Sequence, residues 1–138
     1  MGIVIDTSVL IAAERGVFDL PGFLTSLRDM PIALCAVTAS ELLHGVHRAK
    51  SAAARTQRSQ YVESMLANIP VLPFGLKEAR VHAGLWAALA SKGHLISAHD
   101  MLIAATALAM NSKLATFNKE EFRTVPRLSL VSIDRFSS

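Results

Sequence analysis

Short apolar runs alternate with longer stretches of helical spacing along the whole chain. Ile3–Ile5 is β-branched, stops at Asp6 and reads as a buried first strand. Ser8 to Glu14 then takes helical spacing, with Gly16 placed to end it. Phe18 to Arg28 reads as a second helix or turn entered around Pro21, and Ile32–Val37 as a second strand. A helix beginning at Thr38 carries Leu42, Leu43 and Val46 on one side. Ser51 to Asn68 is helical through Tyr61, Met65, Leu66 and on to Ile69. Val71–Pro73 is a brief strand whose prolines put it at an edge. Leu76 to Ser91 is strongly helical, with Gly93 to end it. Met101–Met110 is apolar almost all round, which predicts a buried helix. Leu114–Thr116 and Leu130–Ile133 complete the set as strands. Strands alternating with helices predict an α/β sandwich with a mainly parallel sheet.

Composition narrows this little further. The 138 residues suit a single domain, 1–138, and a 51% hydrophobic share supports a full core. A formal charge of +3 is compatible with a polyanionic ligand without requiring one. The lone Cys35 excludes an internal disulfide and reads as a buried thiol in a reducing compartment. MLIAATALAM, the longest charge-free apolar run, is too short to span a bilayer, and no secretory signal opens the chain. The expectation is a soluble cytoplasmic protein with no membrane association.

The chemistry lies in where the acids fall. Asp6 directly follows the first strand, Glu41 comes shortly after the second, and Asp100 stands at the head of the buried helix. In open parallel sheets, ligands bind beyond the carboxyl ends of the strands. Carboxylates gathered there repel one another, and a Mg²⁺ or Mn²⁺ ion, which favours carboxylate and water oxygen, removes the conflict. Helix capping is the competing reading. Asp6 is placed to cap the first helix, and Thr38-x-x-Glu41 and Ser97-x-x-Asp100 both fit the capping-box pattern. Asn118-x-x-Glu121 fits a looser version.

The ordered segments VIDTSVLIA, TASELLHGV, HDMLIAATALA and LATFNKEEFRTVP resemble the PIN domain, and more narrowly the VapC-type toxins of bacterial toxin–antitoxin pairs. The resemblance runs from Ile3 to about Ile133. It implies a three-layer sandwich with a small, mainly parallel central sheet flanked by helices. It also implies a metal-dependent endoribonuclease using Mg²⁺, with Mn²⁺ as a substitute, held by Asp6, Glu41 and Asp100. Thr7 or Ser8 falls where a hydroxyl supports the family's site, and Thr116 matches a polar position beside the last strand–helix junction. Asn118 stands where many members carry Asp, which leaves Glu120 or Glu121 to compensate and the number of metals open. The implied partners are an RNA substrate, a VapB-like antitoxin and a second copy in a homodimer, with higher toxin–antitoxin assembly beyond it.

Two other functions remain open on the residues themselves. A phosphotransfer protein would use Asp6 as nucleophile, although Ser8 stands where the paired-Asp pattern needs a second acid. A non-catalytic RNA- or protein-binding PIN-like module would keep the fold alone. Among lesser signals, His44 and His47 have a possible zinc spacing, and His99 adjoins Asp100. Arg48, Lys50, Arg55 and Arg58 form a basic stretch suited either to a nucleic-acid backbone or to solvent. Trp86 is expected in a core or interface, and Phe18, Leu20 and Phe23 in the core or an apolar groove.

Overall fold

A computed structural model describes residues 1–93 and 96–138. Four parallel strands form the sheet: β1 (Ile3–Ile5), β2 (Ile32–Cys35), β3 (Val71–Leu72) and β4 (Lys113–Ala115), in spatial order β3-β2-β1-β4. The helices are α1 (Thr7–Glu14), α2 (Leu20–Leu27), α3 (Ala36–His47), α4 (Ala52–Asn68), α5 (Leu76–Ser91), α6 (Ala98–Ala109) and the single turn α7 (Lys119–Phe122). A 3₁₀ turn at Asp134–Phe136 closes the fold.

The pleat of β1 divides the core. Successive strand side chains point to opposite faces. Ile3 and Ile5 join Val9, Leu10, Phe23 and Val62 from α1, α2 and α4 on one side. Val4 joins Leu89, Ile103, Ala104 and Phe122 from α5, α6 and α7 on the other. A fully buried strand has no polar face to show, which is why the first run is β-branched throughout. The result is the expected three-layer α/β sandwich. Gly16 and Gly93 sit at φ +77° and +72° just past α1 and α5, the left-handed conformation that ends a helix and that glycine adopts without a Cβ clash. β3 holds the sheet edge, as its flanking prolines require.

Several boundaries differ from expectation. β2 stops at Cys35, and Ala36 and Val37 already belong to α3. Thr38 is therefore inside the helix and fully buried, so Thr38-x-x-Glu41 is not a capping box. α6 starts at Ala98, ahead of the apolar run, because Ser97 caps it. Leu130–Ile133 is not a strand. Its pairing with β4 is one parallel bridge between Leu114 and Leu130, held by Leu114 N–H to Ser129 O and Val131 N–H to Leu114 O at 2.9 Å each. The chain then turns away to bring Phe136 against Phe18 and Phe23, with ring centroids 6.2 and 5.5 Å apart. Phe18, Leu20 and Phe23 are thus core, not a groove. Trp86 is 59% exposed and stacks against His82, which in turn meets Phe74, so it lies outside the core.

Candidate active site

All three predicted acids come to the carboxyl edge of the sheet. A cleft of about 350 Å³ is lined by Asp6, Thr7, Ser8, Ile11, Glu41, Asp100, Phe117 and Asn118. The topology explains the meeting. β1 and β4 are neighbours and parallel, so Asp6 and Thr116, each the residue after its strand, emerge side by side. The Asp6 N–H extends the ladder by one bond, to Ala115 O at 2.9 Å.

Asp6 is only 3% exposed and occupies the N-cap position of α1, yet its side chain caps nothing. Its Oδ2 instead accepts two hydroxyls, Ser8 Oγ at 2.6 Å and Thr116 Oγ1 at 2.8 Å. Each hydroxyl is oriented from behind. Phe117 N–H donates to Ser8 Oγ at 3.1 Å, and Asn118 N–H donates to Thr116 Oγ1 at 2.9 Å. Occupied lone pairs leave each hydroxyl proton for the carboxylate, and such charge-assisted bonds fix a buried anion. Among the described residues both bonds to Asp6 end on Oδ2, which leaves Oδ1 without a protein partner. The same bonds explain why β4 ends at Ala115: Thr116 turns its side chain to Asp6.

Glu41 lies on α3 and is gripped at both oxygens. Thr7 Oγ1 donates to Oε1 at 2.6 Å, and His99 Nδ1 lies 3.2 Å from Oε2. The Thr38 hydroxyl is 3.1 Å from that of Thr7, which places it behind the Thr7–Glu41 bond. Thr7 and Ser8 therefore divide the labour, one serving Glu41 and the other Asp6.

Asp100 occupies the first turn of α6. Ser97 Oγ accepts the Asp100 N–H at 3.2 Å, the first half of the expected capping box. The second half comes from elsewhere. Glu121 Oε1, not Asp100, accepts the Ser97 N–H at 2.6 Å. Asp100 is thereby free to face the cleft, where Asn118 Nδ2 donates to its Oδ2 at 3.0 Å and to Glu121 Oε2 at 2.8 Å. Asn118 starts α7 but caps nothing with its side chain, so the looser capping reading fails. Glu120 points away and pairs with Arg123 at 2.8 Å.

Burial raises the Asp100 carboxyl to about 7, aided by hydrogen bonding to Glu121 and by the charges of Glu121 and Asp6, against an opposing contribution from Ser97. Burial also pushes Glu121 up, but hydrogen bonds from Asp100, Ser97 and Asn118 outweigh it and leave its carboxyl below the usual range. For Asp100 burial is the larger cause, and the charges of Glu121 and Asp6 add the repulsion expected of gathered carboxylates.

The donor chemistry suits a hard divalent cation. Among the described residues no three His, Cys, Asp or Glu side chains converge into a ready-made cage, His44 and His47 included. Carboxylate oxygens with retained waters are the donors that Mg²⁺ accepts, and Asp6, Glu41 and Asp100 are the carboxylates that line this cleft.

The residues the sequence did not single out are His99 as a partner of Glu41, and Ile11 and Phe117 as apolar walls. His99 was visible only as a neighbour of Asp100. Phe117 had no signal beyond its place between Thr116 and Asn118.

A small parallel sheet flanked by helices, with acids gathered at its carboxyl edge, places the chain among α/β domains whose ligands bind beyond the strand ends. This chain belongs to the PIN domain family, which it matches over residues 3–128. It is 35% identical over 137 residues to Ribonuclease VapC of Rickettsia bellii, covering 96% of this chain and 97% of that one. It is 34% identical over 121 residues to Ribonuclease VapC10 of Mycobacterium tuberculosis, covering 87% and 85%. Its fold superimposes on a crystal structure of VapBC2 from Rickettsia felis bound to a promoter DNA fragment, with a TM-score of 0.87, 27% identity, and coverage of 95% of this chain and 98% of that one.

Proposed function

We propose that this protein is a divalent-metal-dependent endoribonuclease and the toxin of a type II toxin–antitoxin pair. The observation that carries the reading is the convergence of Asp6, Glu41 and Asp100 on one cleft, with hydroxyl and amide donors fixing each carboxylate. Similarity to chains named as VapC ribonucleases supports the RNA substrate, and the likeness to a VapBC structure supports a VapB-like antitoxin as partner. A homodimer belongs to the same reading. Among the described residues no helix is long and apolar enough to cross a membrane; a cytoplasmic site of action belongs to the toxin reading.

Asp6 and Asp100 would hold the Mg²⁺ or Mn²⁺ ion. Once bound, the ion supplies an activated water and offsets charge on the phosphate oxygens. Glu41, held by Thr7 and His99, presents a fixed carboxylate to the cleft, where it would orient the attacking water. Ser8 and Thr116 keep Asp6 from rotating away. Asn118 steers Asp100 through its amide and adds no negative charge and no base. Glu121, three residues after Asn118, supplies the acid that Asn118 lacks, just outside the cleft lining. Water attack leaves a 5′-phosphate and a 3′-hydroxyl.

The test uses the chain purified free of its antitoxin. Calorimetric titration with Mn²⁺ is expected to give binding that fails in Asp6→Asn, and end-mapping of cellular RNA is expected to give cuts made by wild type alone. Full cleavage by a folded Asp6→Asn protein refutes the mechanism.

A further inference from the structure

A second cleft, of about 250 Å³, opens from the acid site and shares Ile11 and Glu41 with it. It runs between α1, α3 and α4, and its charged lining is Arg15, Arg48 and Arg58 with Glu14 and the shared Glu41, beside His44. We infer that this cleft carries the polynucleotide backbone adjoining the scissile phosphodiester, with Arg48 and Arg58 contacting the flanking phosphates. The inference rests on the nuclease reading and names the path its substrate takes.

Three features make the cleft a built one. Tyr61 Oη donates to Leu10 O at 2.7 Å and fastens α4 to α1. Val62, 1% exposed, forms the floor. Glu14 Oε2 accepts from Arg58 Nε at 3.3 Å, which orients the guanidinium while sparing the terminal nitrogens that make a fork for phosphate oxygens. Of the basic stretch in the sequence, Arg48 and Arg58 line the cleft, while Lys50 and Arg55 do not, and Arg55 Nη2 turns to Ala49 O at 3.2 Å. Arg15, remote in sequence, completes the wall.

The shared boundary decides the ligand class. A phosphodiester chain placed at Asp6 and Asp100 continues directly into positive charge. An acidic peptide could meet the same guanidiniums, but the continuity of this trough with the acid site favours a chain whose next phosphate lies at Asp6 and Asp100.

The experiment measures binding of labelled RNA to the full chain, free of antitoxin, by fluorescence anisotropy in EDTA, where nothing is cut. The probes are a dinucleotide and an octanucleotide at several salt concentrations. Wild type is expected to gain affinity with length, and Arg48→Gln/Arg58→Gln to lose that gain. The slope of log K against log salt should flatten by about 0.7 for each phosphate contact removed. Arg58→Lys should recover part of the affinity. Lys113→Gln, at the opposite end of the sheet, should bind as wild type does. Arg48→Gln, whose side chain has no protein hydrogen bond among the described residues, serves alone if the double variant does not fold. An unchanged slope and length dependence in folded variants overturns the inference, as does loss of antitoxin binding with RNA binding intact. Cleavage by wild type in Mn²⁺ is scored separately: arginine-dependent RNA binding without cleavage sinks the nuclease reading and leaves this cleft standing.

Discussion

Asp100→Asn should stabilise the fold at alkaline pH even as it removes activity. The wild-type carboxyl is raised from its ordinary 3.8 to about 7, chiefly by burial and by Glu121. A folded state that binds a proton more tightly than the unfolded chain is most stable below the unfolded value. It loses that stability as pH rises between the two values and is level above them. A shift of about three units corresponds to ~4 kcal/mol at ~1.4 kcal/mol each. Asp100 is half-open to water, so screening reduces the expected effect to about 1–2 kcal/mol. The substituted amide copies the protonated acid. Its carbonyl still accepts from Asn118, and its amino group can still donate to Glu121. In EDTA, urea denaturation should give equal midpoints for the two proteins near pH 4. By pH 8 the variant midpoint should lie roughly 0.5–1 M higher, at a urea slope of about 2 kcal/mol/M. Adding Mg²⁺ at pH 8 should raise the wild-type midpoint and leave Asp100→Asn nearly unchanged, because only the folded wild type gains a binding partner. Parallel pH curves for the two proteins would refute the claim that Asp100 carries the strain of the acid cluster.

Other changes separate the roles around the cleft. Thr7→Val should lower kcat for RNA cleavage and cost about 1–3 kcal/mol, since the Thr7–Glu41 bond is lost and its polar partners stay in place; thermal melts and cleavage rates check both. Glu121→Gln should destabilise the start of α6 by roughly 1 kcal/mol and reduce cleavage, whereas Glu120→Gln, in an exposed pair with Arg123, should change neither measurably. Phe122→Ala should cost about 3–5 kcal/mol by calorimetry, because its ring is fully buried against β4 and α6.

How far the sequence revealed the site depended on whether the information was local. β1, α5 and the buried α6 follow from period and composition, and their residues appear where the pattern puts them. The acids Asp6 and Asp100 were legible because each sits at or beside a helix start, and Glu41, a turn and a half into α3, because it closely follows β2; parallel topology sends these segments to one edge. The capping readings of the side chains were not separable by spacing alone. Ser97-x-x-Asp100 and Asn118-x-x-Glu121 each satisfy a local rule, but the structure crosses them. Glu121 serves Ser97, and Asn118 serves Asp100. Each exchange spans 18 residues or more, beyond the reach of a four-residue pattern. Leu130–Ile133 failed for a similar reason. Its apolar run fits a strand, yet Ile133 and Phe136 are drawn into a core built by α1 and α2, on the far side of the sheet from α6. The crossing of Ser97, Asp100, Asn118 and Glu121 also sets how the acids at this end of the cleft are held. The Asn118 amide steers Asp100 and Glu121 together, and Glu121 closes the α6 cap that Asp100 would otherwise be needed to complete, so Asp100 can face the cleft.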